Sequence, residues 1–170
     1  MTMTELFLGE LERESDASRR VLARVPEGRP EWRPHPKSMK LGYLSALVAT
    51  MPGWVDLMIN RDELDLRPPG GPEYKQEEFH TCQELLEGLD RAVAKGRAAL
   101  EKTTDEHLLT SWRFLMAGHT ISERPRHIML RDAVFNHMAH HRGQLTVYLR
   151  LLNVPLPVTY GRSADTNPFA

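Results

Sequence analysis

The 170-residue chain has a single cysteine, few aromatic residues and no long run of apolar residues. One cysteine, Cys82, excludes a disulfide within the chain, which fits a protein of the reducing cytoplasm. No segment approaches the roughly 18 apolar residues of a membrane-spanning helix. Acidic residues also occupy the N-terminal stretch, where a signal peptide would be basic. We therefore expect a soluble, cytoplasmic protein with no membrane partner.

An excess of charge of one sign is also missing. The chain has 22 Lys and Arg against 23 Asp and Glu, so its net charge is 22 − 23 = −1. A nucleic-acid-binding surface needs a basic excess, and the short basic stretch 124–127 is flanked by Glu123 and Asp132. Nucleic acid is therefore excluded as a partner. Length and a 41% hydrophobic content predict one domain, 1–170.

Apolar residues recur at helical spacing in four long segments. The predicted helices run from Thr4 to Val25, from Met39 to Asn60, from Thr81 to Lys102 and from Arg126 to Leu152. A further short helical turn is expected within 104–112, an extended or irregular stretch over 114–122, and an irregular tail over 154–170. No segment alternates between apolar and polar residues as a strand would. The pattern predicts an all-α protein, an antiparallel four-helix bundle with long connections.

Capping and breaking residues mark the ends of these helices. Thr4 and Ser38 are the predicted N-caps of the first two helices, and Thr81-Cys-Gln-Glu84 matches a capping box for the third. Pro52 and Gly53 interrupt the second helix, where proline removes a backbone donor and clashes with the preceding turn. We therefore expect a kink there.

Two histidines lie on the inward face of the fourth helix. That face is formed by residues spaced three or four apart: Leu130, Val134, His137, His141, Leu145, Tyr148 and Leu152. Side chains at i and i+4 are neighbours on a helix, so His137 and His141 are candidate ligands of one metal ion. His140 and Gln144 lie beside this face and are candidates for orienting a ligand. The alternative is a pair of buried or interface histidines with ordinary hydrogen-bond partners.

The remaining reactive or aromatic side chains indicate structural roles. His35 lies in a proline-flanked turn, where a surface or hydrogen-bonding role is favoured. Four other histidines have no metal-like partner at close spacing and are interpreted as structural or solvated: His80, His107, His119 and His127. Cys82 begins a helix without a nucleophile's partners, and Trp32, Trp54 and Trp112 are interpreted as packing residues.

A series of short motifs runs through the chain. They are Trp32-Arg-Pro-His-Pro-Lys-Ser-Met39, Leu41-Gly42, Met51-Pro-Gly-Trp54, Asn136-His-Met-Ala-His-His-Arg-Gly-Gln-Leu145, Tyr148-Leu-Arg150 and Tyr160-Gly-Arg-Ser-Ala-Asp165. Together they resemble the DinB-like, or YfiT-like, superfamily over nearly the whole chain. The resemblance implies a four-helix bundle, often a homodimer, and in many members a divalent metal held by three histidines. Some relatives are thiol-dependent S-transferases, and most have no assigned reaction.

The resemblance carries over to particular residues only in part. His137 and His141 match the two metal ligands of the fourth helix, but Leu47 stands where the resemblance implies the third histidine, in the second helix. Arg162 stands where the family tail often has proline. The resemblance therefore implies a zinc or nickel site at His137 and His141 that Leu47 has made degenerate.

Three functional hypotheses follow. The first is a metal-dependent enzyme of the thiol S-transferase type, with Gln144 or Tyr148 orienting the substrate. The second is a non-catalytic bundle that binds a small ligand or a partner chain, with Leu47 and four methionines forming an apolar pocket: Met39, Met51, Met58 and Met138. The third is a homodimer in which Tyr43, Leu47 and Trp54 form a second packing surface. The combined interpretation is a DinB-like protein of unassigned reaction.

Overall fold

The computed structural model describes residues 1–72 and 74–166. The helices of these residues are α1 (Met3–Leu22), α2 (Leu41–Thr50), α3 (Trp54–Asn60), α4 (Cys82–Lys102), α5 (Asp105–Leu108), α6 (Arg126–Met129) and α7 (His137–Leu151). The strands are β1 (Glu63–Asp65), β2 (Ser111–Met116) and β3 (His119–Pro125). Residues 167–170, the end of the tail predicted to be irregular, lie outside the described residues.

The four predicted helical segments are present, with corrected beginnings for the first two. Thr2, not Thr4, caps α1 in a capping box with Glu5. Ser38 does not cap α2, which begins at Leu41 without a side-chain cap. Its first N–H groups instead donate to carbonyls of the preceding loop, those of Trp32 and Pro30. The sequence pattern missed this because a backbone acceptor from a loop has no residue signature.

The helix starting after Thr81 follows the prediction closely. The Thr81 hydroxyl accepts from the Glu84 N–H at 3.1 Å, as the capping box requires. The Glu84 carboxylate accepts from the His80 N–H at 2.6 Å. The first bond satisfies a donor that the start of a helix leaves free, whereas the second binds the residue before the cap instead of the Thr81 N–H of a complete capping box.

The second segment is broken where Pro52 and Gly53 predict a kink. A 3₁₀ turn, Met51–Gly53, separates α2 from α3. It lies against Gly96 of α4, where a Cβ atom would meet the Pro52 carbonyl oxygen at 2.6 Å. Glycine at position 96 therefore permits α4 to approach the kink.

The second segment is also apolar enough to meet the length and composition of a membrane span. The span Leu41–Asn60 satisfies both criteria, but 61% of its apolar window is buried inside the protein. The core helix of a folded domain has this character. The burial of this segment in the protein core therefore explains its apolar composition.

The last segment contains a π-helical turn. Helix α6 continues through a π-helical stretch, Leu130–Asn136, into α7 without a break in the chain. On the predicted inward face, Leu130, Val134 and Leu145 are fully buried, and His141 is 4% exposed. His137 is only half-buried. The π-helical stretch ends directly before His137, and such local widening of a helix is often found beside functional residues.

The expectation of an all-α chain is wrong between α3 and α6. Strands β1, β2 and β3 form a sheet in that order. Strand β1 pairs with β2 in parallel, and β2 pairs with β3 in antiparallel orientation. The stretch expected to be extended or irregular, 114–122, is largely the β2–β3 hairpin. The fold is therefore mostly helical with a small sheet.

The β2–β3 hairpin could not be predicted from the alternation of apolar and polar residues, for two physical reasons. A register shift between Phe114 and Leu115 interrupts the alternation of β2, and β3 is almost wholly exposed. The turn residues Ala117 and Gly118 both have positive φ, 52° and 78°, and alanine gives no signal for such a turn. The Asp65 carboxylate accepts from both of their N–H groups and stabilises the turn.

Two buried apolar clusters form the core. One surrounds Met51, Trp112 and Val134, and includes the stacked rings of Phe7 and Phe135 with centroids 5.6 Å apart. The other surrounds Leu44, Leu89 and Leu149, between α1, α2, α4 and α7. The sheet closes the side of the first cluster, and this is where the candidate site lies.

Candidate functional site

His137 and His141 meet at the start of α7. Their Nε2 atoms lie 2.8 Å apart, and their ring centroids 4.5 Å. The Nδ1 atom of His141 donates to the Gln144 side-chain oxygen at 2.8 Å. This hydrogen bond fixes the ring so that Nε2 faces His137, an arrangement that also serves metal-binding histidines. The structure thus brings together three of the residues predicted from the sequence.

Both imidazoles are held toward their neutral forms. Burial lowers the pKa of His137, and the nearby His141 lowers it further, while a hydrogen bond with the Ala133 backbone opposes the change. Burial also lowers the pKa of His141, against the effect of the Gln144 hydrogen bond. Neutral imidazole nitrogens are the form that binds a metal or accepts a hydrogen bond.

The described residues do not fit a three-histidine metal centre. No group of three His, Cys, Asp or Glu side chains within 1–72 and 74–166 is placed to hold one ion. His140 lies beside His141, with ring centroids 5.0 Å apart, but its side chain is exposed. The exposed His35 accepts from the Lys37 N–H instead, at 3.2 Å. A catalytic zinc usually has three protein ligands, and here two are present.

An apolar cavity of about 300 Å³ opens beside His137. Its wall comes from α2, α3, β1, β2 and the start of the last helical segment. The lining residues are mostly aliphatic or aromatic: Tyr43, Leu47, Trp54, Leu57, Met58, Leu64, Leu66, Tyr74, Trp112, Phe114, Met129, Ala133 and His137. An apolar cavity of half this size suffices to bind benzene in an engineered protein. Its volume therefore suits a compact organic ligand.

Leu47 and His137 both line this cavity, from α2 and α7. Leu47 is 6% exposed, and the Trp54 ring lies 5.9 Å from that of His137. The position predicted to replace a metal ligand therefore contributes an aliphatic wall beside the histidine pair. Of the four methionines predicted for an apolar pocket, Met58 lines the cavity, whereas Met51 and Met138 are buried in the core and Met39 is partly exposed.

The other histidines mostly have the structural roles expected from the sequence. His107 pairs with the Ile59 carbonyl at 2.8 Å, and His127 with the Leu108 carbonyl at 3.1 Å. His80 and His119 are exposed. Cys82 donates to the Leu22 carbonyl, and burial followed by the Glu27 charge raises the pKa of its thiol. A raised pKa disfavours the thiolate, the nucleophilic form of cysteine.

The tryptophans expected to pack divide between core and cavity. Trp32 lies edge-on to Tyr148, with ring centroids 5.6 Å apart. Trp112 is 1% exposed, and its indole Nε1 is buried without a hydrogen-bond partner among the described residues. Trp54 and Trp112 also line the cavity, a placement that their sequence spacing did not predict.

A buried ion pair directly behind His141 was missed from the sequence. Arg142 is 1% exposed and binds the Glu14 carboxylate at 2.6 Å and the Ser18 hydroxyl at 3.0 Å. The Tyr160 hydroxyl contacts both Arg142 and Glu14, and thereby ties the tail to α1 and α7. The sequence signal for it is the spacing of Glu10 and Glu14, two charges on the face of α1 that also has Phe7 and Leu11.

The fold and the site together define a class of protein. It is a mostly helical domain in which a histidine pair on the last long helical segment faces an apolar cavity closed by a small sheet. A DinB-like protein from Bacillus cereus ATCC 10987 has a similar fold, with a TM-score of 0.69 at 21% identity, covering 92% of this chain and 97% of that one. A DinB-like protein from Bacillus subtilis has a TM-score of 0.67 at 20% identity, covering 91% and 98%.

A family model described as the DinB family matches residues 1–167. The chain therefore belongs to the DinB family, and the resemblance noted in the sequence is confirmed. No functionally curated protein matches it. The assignment fixes family and fold, while the role of Leu47 and the reaction are matters for proposal.

Proposed function

We propose that this DinB family protein binds a small apolar ligand in the cavity beside His137, and that Leu47 has replaced a metal-binding function. In this proposal the helical segments act as an antiparallel four-helix bundle whose open side is closed by the sheet. The observation that carries it is the composition of the cavity wall, where Leu47 and His137 stand together among aromatic side chains.

The physical argument rests on what the wall offers a ligand. Removing apolar surface from water stabilises a complex by roughly 25 cal/mol per Å². Aromatic walls add directional contacts with flat ligands. His137 is the histidine among the lining residues, and its lowered pKa favours the neutral imidazole. A neutral imidazole orients a ligand by hydrogen bonding without requiring that ligand to be charged.

Binding of n-butylbenzene, measured by titration calorimetry, tests this proposal. We expect saturable binding at about one site per chain, because the cavity volume suits one ring and a short chain. Leu47→Phe fills the cavity and should weaken binding at least about tenfold, as loss of roughly 60 Å² of apolar contact would do. Leu109→Phe, the same substitution at an exposed position that does not line the cavity, is the control and should leave affinity unchanged. Absence of binding, or equal affinity in all three proteins, would contradict the proposal.

A second candidate is a divalent-metal site on the histidine pair, the basis of a thiol S-transferase-like activity. The observation that favours it is the convergence of the two Nε2 atoms. Two imidazoles bind zinc or nickel weakly, since a catalytic site usually has a third protein ligand. Metal titration of the wild-type protein and of His141→Ala distinguishes this candidate. Tight binding of one zinc, lost in His141→Ala, would favour it over the apolar-ligand proposal.

A homodimer also belongs to the proposal. Val147 and Leu151 lie one turn apart on α7, and their exposed fractions are 58% and 56%. Tyr43 on the neighbouring α2 is 47% exposed. Apolar side chains grouped on two adjacent helices are suited to a symmetric contact with a second copy. Light scattering at micromolar concentration should give twice the chain mass, and Val147→Asp should give the monomer. A wild-type monomer would contradict this part.

A further inference from the structure

A second cavity, lined in part by charged side chains, adjoins the apolar one. It has a volume of about 200 Å³ and lies between α3 and α4, lined on the α4 side by Gly88, Arg91, Ala92 and Lys95. The two cavities share Trp54, Leu57 and Tyr74, which form the wall between them. We call the second cavity the α3–α4 groove. A molecule seated in the apolar cavity thus has the charged side chains of the α3–α4 groove beyond these three residues.

The wall itself is held by polar contacts on its groove side. Burial raises the pKa of the Tyr74 phenol, although a hydrogen bond with the Trp54 side chain opposes the change. The segment after Tyr74 is attached to the groove by Gln76, whose amide donates to the Thr50 hydroxyl at 2.8 Å. The rings of Tyr74 and Trp54 therefore line both cavities, and their polar atoms form a hydrogen bond with each other.

The charged side chains that line the groove differ in whether they have hydrogen-bond partners. The Glu77 carboxylate accepts from Arg91 at 2.8 Å, and the Asp56 carboxylate accepts from the Asn60 amide at 2.6 Å. Both acidic groups therefore have donors. The Lys95 ammonium, in contrast, makes no ion pair or hydrogen bond with any residue in 1–72 or 74–166. The Lys95 ammonium is thus a cationic donor of the groove without a partner among the described residues, which an anionic oxygen would satisfy.

We propose that the ligand is an amphipathic carboxylic acid, with its apolar body in the cavity beside His137 and its carboxylate in the α3–α4 groove near Lys95. This inference rests on the proposed function, because it needs the apolar cavity to be occupied. The contact with Lys95 adds selectivity more than affinity, since Lys95 is exposed and exposed ion pairs contribute little.

Titration calorimetry with two matched probes tests the inference. The probes are 4-phenylbutyrate and its neutral amide, 4-phenylbutanamide, which have the same shape and differ in charge. We expect the acid to bind about two- to fivefold more tightly at low salt, the range given by exposed ion pairs. Lys95→Gln should abolish this difference while leaving the amide's affinity unchanged. Lys102→Gln, the same change of charge at the end of α4, is the control and should preserve it.

The length of the probe provides a second measurement. In the series from phenylacetate to 5-phenylpentanoate, the advantage of acid over amide should appear only when the chain spans the shared wall. Equal affinity of acid and amide at every length, or an advantage that survives Lys95→Gln, would overturn the inference. If the amides and n-butylbenzene also fail to bind, the proposed function fails with it. Binding of the neutral probes alone would overturn only the carboxylate assignment.

Discussion

Leu47 and His137 line one cavity from two different helical segments, with Leu47 almost fully buried. His137 and His141 form a pair whose Nε2 atoms are 2.8 Å apart. An aliphatic side chain in this place removes a possible ligand and adds apolar surface. A leucine at position 47 therefore opposes metal binding and favours an apolar ligand.

The substitution Leu47→His should restore metal binding if this geometry is correct. A structural zinc site with four ligands contributes roughly 10–16 kcal/mol, so each ligand accounts for a few kcal/mol. We therefore expect zinc or nickel affinity to rise roughly 100-fold over wild type. Competition with a chromogenic chelator measures the change. Leu47→Phe and the double change Leu47→His with His137→Ala are the controls, and neither should gain. An unchanged affinity in Leu47→His would mean that position 47 does not face the pair.

The buried Arg142–Glu14 pair should be much more sensitive to loss of one partner than of both. Glu14→Gln leaves a guanidinium buried with its charge uncompensated, which costs about 3–5 kcal/mol of unfolding free energy. Glu14→Leu combined with Arg142→Met removes both charges, so its loss should be smaller than the sum of the losses of Glu14→Leu and Arg142→Met made singly. Urea denaturation measures all four variants.

An exposed ion pair provides the comparison for the buried Arg142–Glu14 pair. Arg97 lies 3.7 Å from Glu12, with 42% of its side chain exposed. Arg97→Ala should cost at most about 1 kcal/mol. Equal losses at Arg142 and Arg97 would contradict the buried-pair argument.

The β2–β3 turn contains an alanine at a position that favours glycine. Ala117 has a φ of 52°, in the left-handed region, where a side chain costs about 1 kcal/mol relative to glycine. Ala117→Gly should therefore raise the unfolding free energy by about 0.5–1 kcal/mol, as measured by urea denaturation. Ala98→Gly, on the exposed face of α4, should lower it by about 1 kcal/mol, because glycine is unfavourable within a helix. Changes of the same sign at both positions would rule out this account.

The tail should come loose from α7 in acid. Asp165 binds Arg150 and accepts from the Leu156 N–H at 2.9 Å, and the Arg150 hydrogen bond is the main cause that lowers its pKa from 3.8 to about 2. A carboxyl whose folded pKa is depressed stabilises the attachment above pH 3.8. That contribution is lost as the pH falls toward about 2.

Hydrogen exchange of the tail as a function of pH measures this release. Protection of the Leu156 N–H should decline between about pH 4 and 2 after correction for intrinsic rates, because the Asp165 carboxylate is its acceptor. Asp165→Asn should remove this protection already at neutral pH and abolish the acid step. Asp90→Asn, which affects an exposed pair with Arg19, should not. A tail equally protected in wild type and Asp165→Asn would contradict the role of this carboxylate.

The sequence predicted those features that depend on local periodicity. The His137–His141 pair, the kink at Pro52 and the Thr81 cap each follow from residues within a few positions of one another. The sheet could not be predicted in this way, because β1 is a three-residue strand paired with residues about 50 positions later. The turn at Ala117 depends on a carboxylate from β1, and no local pattern encodes that contact.

The candidate site shows the same division. The helical face predicted the histidine pair, and the family resemblance pointed to Leu47. The cavity between them depends on Trp112 and Phe114 of β2, residues that the all-α interpretation could not place. The α3–α4 groove likewise arises from the packing of two segments, so Lys95 carried no signal in the sequence.

Metal content tests the central claim most directly. The protein should be purified without a polyhistidine tag, offered zinc or nickel, separated from free metal and measured by mass spectrometry. Replacement of the third ligand by Leu47 predicts metal far below one ion per chain, with little further change in His137→Ala. One ion per chain that disappears in His137→Ala would contradict the account, because it would mean that another ligand completes the site.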